Sequence, residues 1–141
     1  MNEMTENQIQ LACVGILGRL CPWACCNHSP NEGKRTVGQK VHLIRMGMLP
    51  GYPDLEILAG GKSFFVEFKR GKKGRLSEEQ KAFQEWALEN GFPYAVCRGV
   101  QEFEDILNEW GFIRKNQLGV VHMVTYGEFS LGLATNLGRK K

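Results

Sequence analysis

The stretch that decides the fold is GYPDLEILAGGKSFFVEFKRGKKGR, which runs from Gly51 to Arg75. It contains two short runs with the composition of β-strands, at 54–59 and 63–69, separated by two glycines and a lysine. Glycine tolerates the backbone angles of tight turns, so this spacing predicts a β-hairpin. The central sheet of the protein is therefore expected to begin at residue 54.

Three charged side chains interrupt this hairpin. Side chains alternate along a strand, so Glu67 and Lys69 point to one face of the sheet while Phe68 points to the other. If the hairpin sets the start of its first strand beside the end of its second, Asp54 comes within reach of that same face. Two carboxylates form an oxygen site suited to Mg²⁺ or Mn²⁺. A lysine beside them can orient or deprotonate water, or neutralise charge on a phosphate under attack.

The same residues also admit a purely structural interpretation. Glu67 and Lys69 would then form an exposed ion pair, which contributes little stability, and Asp54 would only start a strand. However, the strand is apolar on its other face. It also leads into a group of basic residues with no acid among them, namely Lys69, Arg70, Lys72, Lys73 and Arg75. A solvated sheet edge does not require such a cluster, whereas it suits a polyanionic ligand.

Length and composition place the chain in the range of one globular domain. It has 141 residues, 43% of them hydrophobic and 23% charged. The net charge of +3 is too small to indicate a polyanionic partner by itself. The apolar segment from Leu11 to Cys26 is broken by Arg19 and Pro22 and follows acidic residues, unlike a signal peptide or a membrane span. We therefore expect a soluble intracellular protein without a membrane partner.

The five cysteines are odd in number and irregularly spaced, which in a chain without an export signal indicates reduced thiols. The pattern C-x3-C-C-x-H is formed by Cys21, Cys25, Cys26 and His28. Structural zinc sites usually pair two ligand clusters, and the sequence has no second one, so zinc is disfavoured. Two further thiols lie in apolar patterns and are expected in the core, Cys13 and Cys97.

Capping signals and apolar spacing predict the remaining elements. Helices are expected from Thr5 to near Pro22, over Thr36–Met48, from Ser77 to Gly91 and through Phe103–Trp110. Further strands are expected at Trp23–Cys26 and Tyr94–Arg98. The tail from Phe112 is ambiguous, since VVHMVTY has the composition of a strand while LGLATNLGRKK has that of a loosely ordered segment.

The hairpin also carries a resemblance to a known family. Pro53-Asp54 followed by Glu67-Phe68-Lys69 matches the PD-(D/E)xK pattern of nucleases. The match extends to HSPNEGKR at 28–35, GMLPGYPDLEI at 47–57, FFVEFKRGKKGRLSEEQ at 64–80 and NGFPYAVCRGVQEF at 90–103. Together these segments resemble the virus-type replication-repair nuclease domain, VRR-NUC, over most of the chain.

This resemblance implies an α/β fold with a restriction-endonuclease-like core, in which a mixed central β-sheet is flanked by α-helices. Residues 1–111 would form the nuclease domain, and residues 112–141 a C-terminal extension with a possible strand and a flexible tail. The implied activity is hydrolysis of DNA phosphodiesters with Mg²⁺ or Mn²⁺. The implied location is the cytoplasm of a bacterial or phage-infected cell.

The resemblance also assigns roles to residues of the hairpin. The metal-binding acids of the family fall on Asp54 and Glu67, with the backbone carbonyl of Phe68 as an extra ligand. The catalytic lysine of the family falls on Lys69. These assignments agree with the chemistry expected from the strand geometry.

Outside the hairpin, Glu6 matches a further acid that the family carries toward the metal, although an acid at a helix start also complements the helix dipole. Gln80 matches the glutamine of the family's LSxxQ segment near the active centre, although its place in a capping box already gives it a structural role. DNA contacts are expected from His28, Asn31, Arg35, Arg70, Lys72, Lys73 and Arg75.

Stand-alone members of the family are similar to junction resolvases that act as homodimers, whereas versions fused to other domains cut flaps. A homodimer, or a larger even-numbered assembly, supplies paired sites with the symmetry of a four-way (Holliday) junction. Its contact is expected in the VVHMVTY tail or the helix that follows Thr5. Two other functions stay open on the sequence: a flap or single-strand nuclease, and a catalytically silent DNA-binding module.

Overall fold

The computed structural model of the chain describes residues 3–30 and 35–139. The elements in chain order are α1 (Glu6–Leu20), β1 (Cys25–His28), α2 (Val37–Arg45), β2 (Leu55–Ala59), β3 (Lys62–Phe68), α3 (Glu78–Glu89), β4 (Tyr94–Cys97), α4 (Val100–Glu109), β5 (Ile113–Lys115), β6 (Val121–Met123) and α5 (Tyr126–Arg139). In the part of the chain that the structure describes, no helix has the length and apolar character needed to cross a membrane.

The central sheet has four strands in the order β1-β2-β3-β4. The predicted hairpin is confirmed, because β2 and β3 pair antiparallel and Ala59 lies opposite Lys62 across the turn. Both turn glycines have positive φ, 60° at Gly60 and 74° at Gly61, as tight hairpin turns require. β4 pairs parallel to β3, as strands joined through a helix can, so the sheet is mixed as predicted.

The helices cover the two faces of this sheet unequally. On one face, α1 and α4 pack together and against the sheet, with side chains such as Leu17, Phe64 and Phe103 fully buried. On the other face, α3 covers a smaller cluster around Phe65 and Phe83. The second face therefore carries less core, and Glu67 points toward it because Glu67 lies two residues along β3 from Phe65.

The C-terminal extension differs from the sequence expectation. Its VVHMVTY segment does contain a strand, β6, but the stretch predicted to be loosely ordered continues as helix α5. The signal missed was a capping box at TYGE: the Thr125 hydroxyl accepts the Glu128 N–H and the Thr125 N–H donates to Glu128 Oε1, both at 3.1 Å. Phe129, one residue further on, is buried in the main core.

Trp23 fixes this extension to the rest of the molecule. Its indole N–H donates to the Val124 carbonyl at 3.1 Å, and its ring lies 4.7 Å from that of Phe129 and 5.4 Å from that of Phe112. Trp23 was predicted to begin a strand, but β1 begins two residues later, at Cys25. The prediction was wrong because Trp23 packs into the aromatic core instead of pairing its backbone.

The helix predicted over Thr36–Met48 is confirmed as α2, with a capping box between Thr36 and Gln39. None of its residues is buried, and Val37, Val41 and Ile44 are all exposed. The apolar spacing thus identified the helix correctly, but its apolar side chains do not enter the core.

Candidate active site

The register of the hairpin brings the two predicted acids together. Leu55 lies opposite Val66, so the residues next to them, Asp54 and Glu67, face one another on the side of the sheet covered by α3. The Asp54 N–H donates to Glu67 Oε2 at 3.2 Å, and the Phe68 N–H donates to Asp54 Oδ2 at 2.9 Å. Each acid is therefore held by the backbone that carries the other.

Glu67 is the only buried charged or polar residue in the described parts of the chain, with 2% of its surface exposed. Burial raises its pKa to about 9, and the hydrogen bond to Asp54 and the charge of Asp54 act in the same direction. The Asp54 N–H and the charge of Lys69 lower the pKa, but by less. Without a cation, the neutral form of Glu67 is therefore favoured more than in an exposed glutamate.

Gln80 approaches this pair from the first turn of α3. Its side-chain amide donates to Glu67 Oε1 at 2.6 Å, while its own Oε1 accepts the Ser77 N–H at 2.9 Å. The two interpretations of this residue are thus compatible, because one amide group completes the capping box and also contacts the acid. The expected position of Gln80 near the acids is confirmed; its part in catalysis stays a prediction.

A glycine allows the Asp54 loop to lie against α3. Gly51 has φ of +81°, and a Cβ there would lie 2.4 Å from the Glu79 carbonyl oxygen and 2.8 Å from the Gln80 nitrogen. Any other residue would push the loop away from the helix. The close approach of backbone to backbone sets the position of Asp54 relative to Gln80.

Lys69 follows the last residue of β3 and is half-buried. Its backbone N–H donates to the Cys97 carbonyl at 3.0 Å, which extends the contact between β3 and β4. A Cβ at Gly74 would lie 3.2 Å from the Lys69 Cβ, so the following turn folds back against this lysine. The lysine is thereby held at the strand end, where its charge acts on Glu67.

Tyr94, the first residue of β4, lies on the same face as Glu67 and was not identified from the sequence. Its hydroxyl is the one buried side-chain polar atom without a hydrogen-bond partner in the described residues. Burial raises the pKa of this phenol, and the charges of Glu67 and Asp54 raise it further. The hydroxyl therefore lies within the electrostatic field of both acids.

The donor set fits a hard divalent cation. Asp54 and Glu67 offer carboxylate oxygens close together, and the buried Glu67 gains a compensating charge when a cation replaces its proton. Among the described residues no three Asp, Glu, His or Cys side chains converge into a metal site. The remaining ligands would be main-chain oxygen, such as the predicted Phe68 carbonyl, and water, which Mg²⁺ commonly retains.

Solved structures share the fold of this chain. A "VRR_NUC domain protein" superposes with a TM-score of 0.62 over 77% of this chain and 89% of its own, at 21% identity. A second structure, "VRR_NUC domain", superposes with a TM-score of 0.52 over 75% of this chain and 97% of its own, at 20% identity. The chain has the VRR_NUC fold. No family model and no curated protein matches it.

Beside Asp54, this chain forms a polar cleft of about 190 Å³. Its lining is Glu6, Asn7, Gln10, His28, Pro30 and Asp54. Glu6 thus lines the same cleft as Asp54, and its role as a metal ligand stays a prediction. His28 Nδ1 lies 2.8 Å from the Asp54 carbonyl oxygen and 2.7 Å from Gln10 Nε2. Gln10 was missed because it is one of several polar residues on the exposed side of α1.

The basic turn that follows Lys69 is less free than its sequence indicates. Arg70 pairs with Glu3 at 3.4 Å, an acid distant in sequence. Arg75 donates to the Lys72 carbonyl at 2.8 Å, within the turn. Arg98, not identified from the sequence, donates to the Gly71 carbonyl at 2.7 Å and fastens the turn to the end of β4. Arg70 therefore has an acidic partner in space, although no acid lies among the basic residues in sequence.

Arg35, another predicted DNA contact, lies between β1 and α2. Arg35 is exposed and donates to the Pro30 carbonyl at 3.0 Å, with Met48 sulfur also 3.4 Å away. Asn31 lies outside the described residues. Arg35 therefore links Pro30 to the end of the segment that contains α2.

The thiols divide between core and surface. Cys13 and Cys97 are fully buried, which confirms their predicted place in the core. Cys21 is also buried, and its thiol donates to the Phe112 carbonyl at 3.5 Å, whereas Cys25 is exposed. The members of the C-x3-C-C-x-H pattern thus lie in different environments.

Proposed function

We propose that this chain is a metal-dependent endonuclease that hydrolyses phosphodiester bonds in branched DNA, chiefly four-way junctions. One observation carries the proposal: Asp54 and Glu67 face one another, with Glu67 accepting from the Asp54 N–H, Asp54 accepting from the Phe68 N–H, and Lys69 at the adjacent strand end. The VRR_NUC fold, whose name abbreviates a virus-type replication-repair nuclease, supports the same activity. A merely structural role would not explain why a buried acid faces another acid.

Asp54, Glu67 and the Phe68 carbonyl would hold Mg²⁺ or Mn²⁺, which when bound polarises a phosphate oxygen and lowers the pKa of bound water. Glu67 would release its proton to solvent on becoming a ligand, and Gln80 would keep its carboxylate oriented through the bond to Oε1. The Lys69 ammonium neutralises charge that develops on the phosphate oxygens or orients the attacking water. These roles require no movement of the backbone.

The basic turn would contact phosphates flanking the cleavage point. Lys72, Lys73 and Arg75 are exposed and carry no ion pair with any other described residue. Each phosphate that such a side chain neutralises releases counterions from duplex DNA, which gives affinity a strong dependence on salt. His28 and Arg35 lie on the other side of Asp54 and would extend this surface along the DNA strand.

We further propose that the active form is a two-fold homodimer or a larger even-numbered assembly, because symmetric cuts in a four-way junction require two equivalent sites. Part of the tail expected to make this contact, Val124 and Phe129, is used inside the chain instead. Met123, Tyr126 and Leu131 of the same extension are exposed and provide apolar surface for a second copy. Light scattering at micromolar concentration should give at least twice the chain mass.

The deciding experiment offers four-way, flapped, single-stranded and linear DNAs of matched sequence to the protein, with Mg²⁺, Mn²⁺, Ca²⁺ or chelator. Symmetric cuts in four-way junctions that require Mg²⁺ or Mn²⁺ are expected. Asp54→Asn is the matched control and should bind DNA in Ca²⁺ without cutting it, since the phosphate-contacting surface is intact. A monomer that prefers flaps would favour the flap nuclease, and binding with no cleavage in any metal would favour the silent module.

A further inference from the structure

The buried hydroxyl of Tyr94 is energetically unfavourable, and the roles proposed for the catalytic groups do not explain its presence. Its hydroxyl is fully enclosed and has no hydrogen-bond partner in the described residues. A buried donor without a partner costs free energy, and such groups are rare unless the molecule uses them in another state. Replacing the tyrosine by phenylalanine would remove this cost at no loss of packing, so the hydroxyl needs an explanation.

The surroundings of the ring restrict what that partner can be. Tyr94 lies opposite Phe65 in the β3–β4 ladder, and its ring is 6.2 Å from that of Phe83 on α3. These neighbours are apolar. The charged groups whose field reaches the phenol are Glu67 and Asp54. Because the hydroxyl is enclosed, a DNA phosphate in solvent cannot reach it, whereas an acid that shifts inside the site can.

The present bonds of Glu67 show why such a shift accompanies metal binding. Oε1 accepts from Gln80 and Oε2 accepts from the Asp54 N–H. Each carboxylate oxygen has a second lone pair, and a cation that binds one oxygen competes with the donor already there, so we expect the carboxylate to turn. The ionised Glu67 carboxylate then has a lone pair that can accept a hydrogen bond, and the nearby Tyr94 hydroxyl can donate one.

We propose that Tyr94 is a positioning residue whose hydroxyl donates a hydrogen bond to the Glu67 carboxylate when Glu67 binds a divalent cation. This inference rests on the proposed metal-dependent function. In the cation-free protein the hydroxyl is a cost, and in the cation-bound protein it stabilises the orientation of the ligand, as outer partners of metal ligands do. The tyrosine thereby favours the loaded state over the empty one.

Tyr52 provides a matched control in the same aromatic cluster. Its ring contacts Phe65 and Phe83, as expected for a neighbour of Tyr94, but its hydroxyl donates to Glu56 at 2.8 Å. Tyr94→Phe removes an orphaned hydroxyl and Tyr52→Phe removes a bonded one. The two variants are otherwise the same chemical change in the same layer of the structure.

The experiment measures Mn²⁺ binding by calorimetry and thermal unfolding with and without Mn²⁺, on both variants and the wild type, without DNA. Tyr94→Phe should melt at or above the wild-type temperature without metal, yet bind Mn²⁺ roughly tenfold more weakly, the effect of one hydrogen bond to a charged group. Tyr52→Phe should melt lower without metal and bind Mn²⁺ with wild-type affinity.

The outcomes separate the inference from the function on which it rests. Equal Mn²⁺ affinity in Tyr94→Phe and wild type would overturn the role of Tyr94 and leave the metal site standing. A lower melting temperature of metal-free Tyr94→Phe would also overturn it, because the hydroxyl would then have a partner in the empty site. A wild-type protein that binds no Mn²⁺ would overturn the proposed function itself, and the inference with it.

Discussion

Two glutamates on the same face of the hairpin have opposite environments. Glu56, on β2, directs one carboxylate oxygen to the Tyr52 hydroxyl at 2.8 Å and the other to the Ser63 hydroxyl at 2.7 Å. Glu67, further along β3, is more deeply buried and faces the carboxylate of Asp54. The first acid accepts hydrogen bonds from neutral donors. The second lies beside another carboxylate, whose negative charge makes ionisation of Glu67 less favourable.

This difference indicates which acid serves structure and which serves chemistry. The two neutral donors satisfy the Glu56 carboxylate without any added ligand, so Glu56 serves to stabilise the fold. A second carboxylate makes ionisation costly unless a cation arrives, so the Asp54–Glu67 end of the hairpin is complete only with a ligand. Substitutions at the two ends should therefore fail in different ways.

The largest expected effect comes from Glu67→Gln compared with Glu56→Gln. Glu67→Gln removes a predicted ligand and should lower the cleavage rate by more than the roughly 100-fold that loss of an outer partner of a metal ligand causes. Glu56→Gln should cleave within a few fold of wild type and lose stability instead. Cleavage rates on a four-way junction and urea midpoints measure the two effects. Comparable cleavage by both variants would break the distinction between the two ends.

Next in size is Lys69→Ala, which should reduce turnover by about 100-fold or more while leaving DNA affinity nearly unchanged, because the ammonium acts on charge developed during reaction. The double variant Lys72→Ala with Lys73→Ala should instead weaken binding. Its salt dependence should flatten by roughly 0.9 log unit per lost phosphate contact. Single-turnover rates and binding isotherms at several salt concentrations check both. Matching defects would place Lys69 in the binding surface.

A smaller effect is expected from Gln80→Met. Loss of the amide that contacts Glu67 should lower cleavage by about 10- to 100-fold. Ser77→Ala is the control, since it removes the other half of the capping box at a cost of about 1 kcal/mol of stability but leaves the contact to Glu67. If Ser77→Ala lowers cleavage as much as Gln80→Met, Gln80 acts only through the helix start.

The smallest effect is a pH dependence of metal-free stability. The pKa of Glu67 in the folded chain is raised from its ordinary 4.5 to about 9. The folded state therefore binds more protons over that window, and stability should fall as pH rises. Urea unfolding in chelator at pH 5 and pH 8 measures this slope. Glu67→Gln should flatten it, and Glu56→Gln should not.

The sequence predicted the hairpin and its acids because both depend on local rules. Two glycines at the turn specify the register, and strand alternation then places Asp54 and Glu67 on one face. The capping boxes at Thr5 and Ser77 were likewise local signals, and the structure confirms both; the box at Thr36 was a further local signal that was not used. Features of this kind can be derived without knowing how distant segments pack.

Features that depend on tertiary packing were not predictable in the same way. The apolar side of α2 has the spacing of a core helix but meets no core, and Glu3 reaches Arg70 across the sequence. The orphaned hydroxyl of Tyr94 is defined only by its whole environment. By contrast, the capping box at Thr125 was a local signal hidden within a segment of strand-like composition.

The direct contact between the backbone of Gly51 and that of α3 has a consequence for how the site moves. Because a single missing Cβ lets the loop rest on the backbone at Glu79, a tilt of α3 would carry Asp54 with Gln80. The hairpin ladder couples Glu67 to the same unit. The basic turn is tied down more loosely, by an exposed ion pair to Glu3 and one bond from Arg98. Fluctuations that admit a bulky substrate should therefore concentrate in that turn, while the acids move as one rigid body.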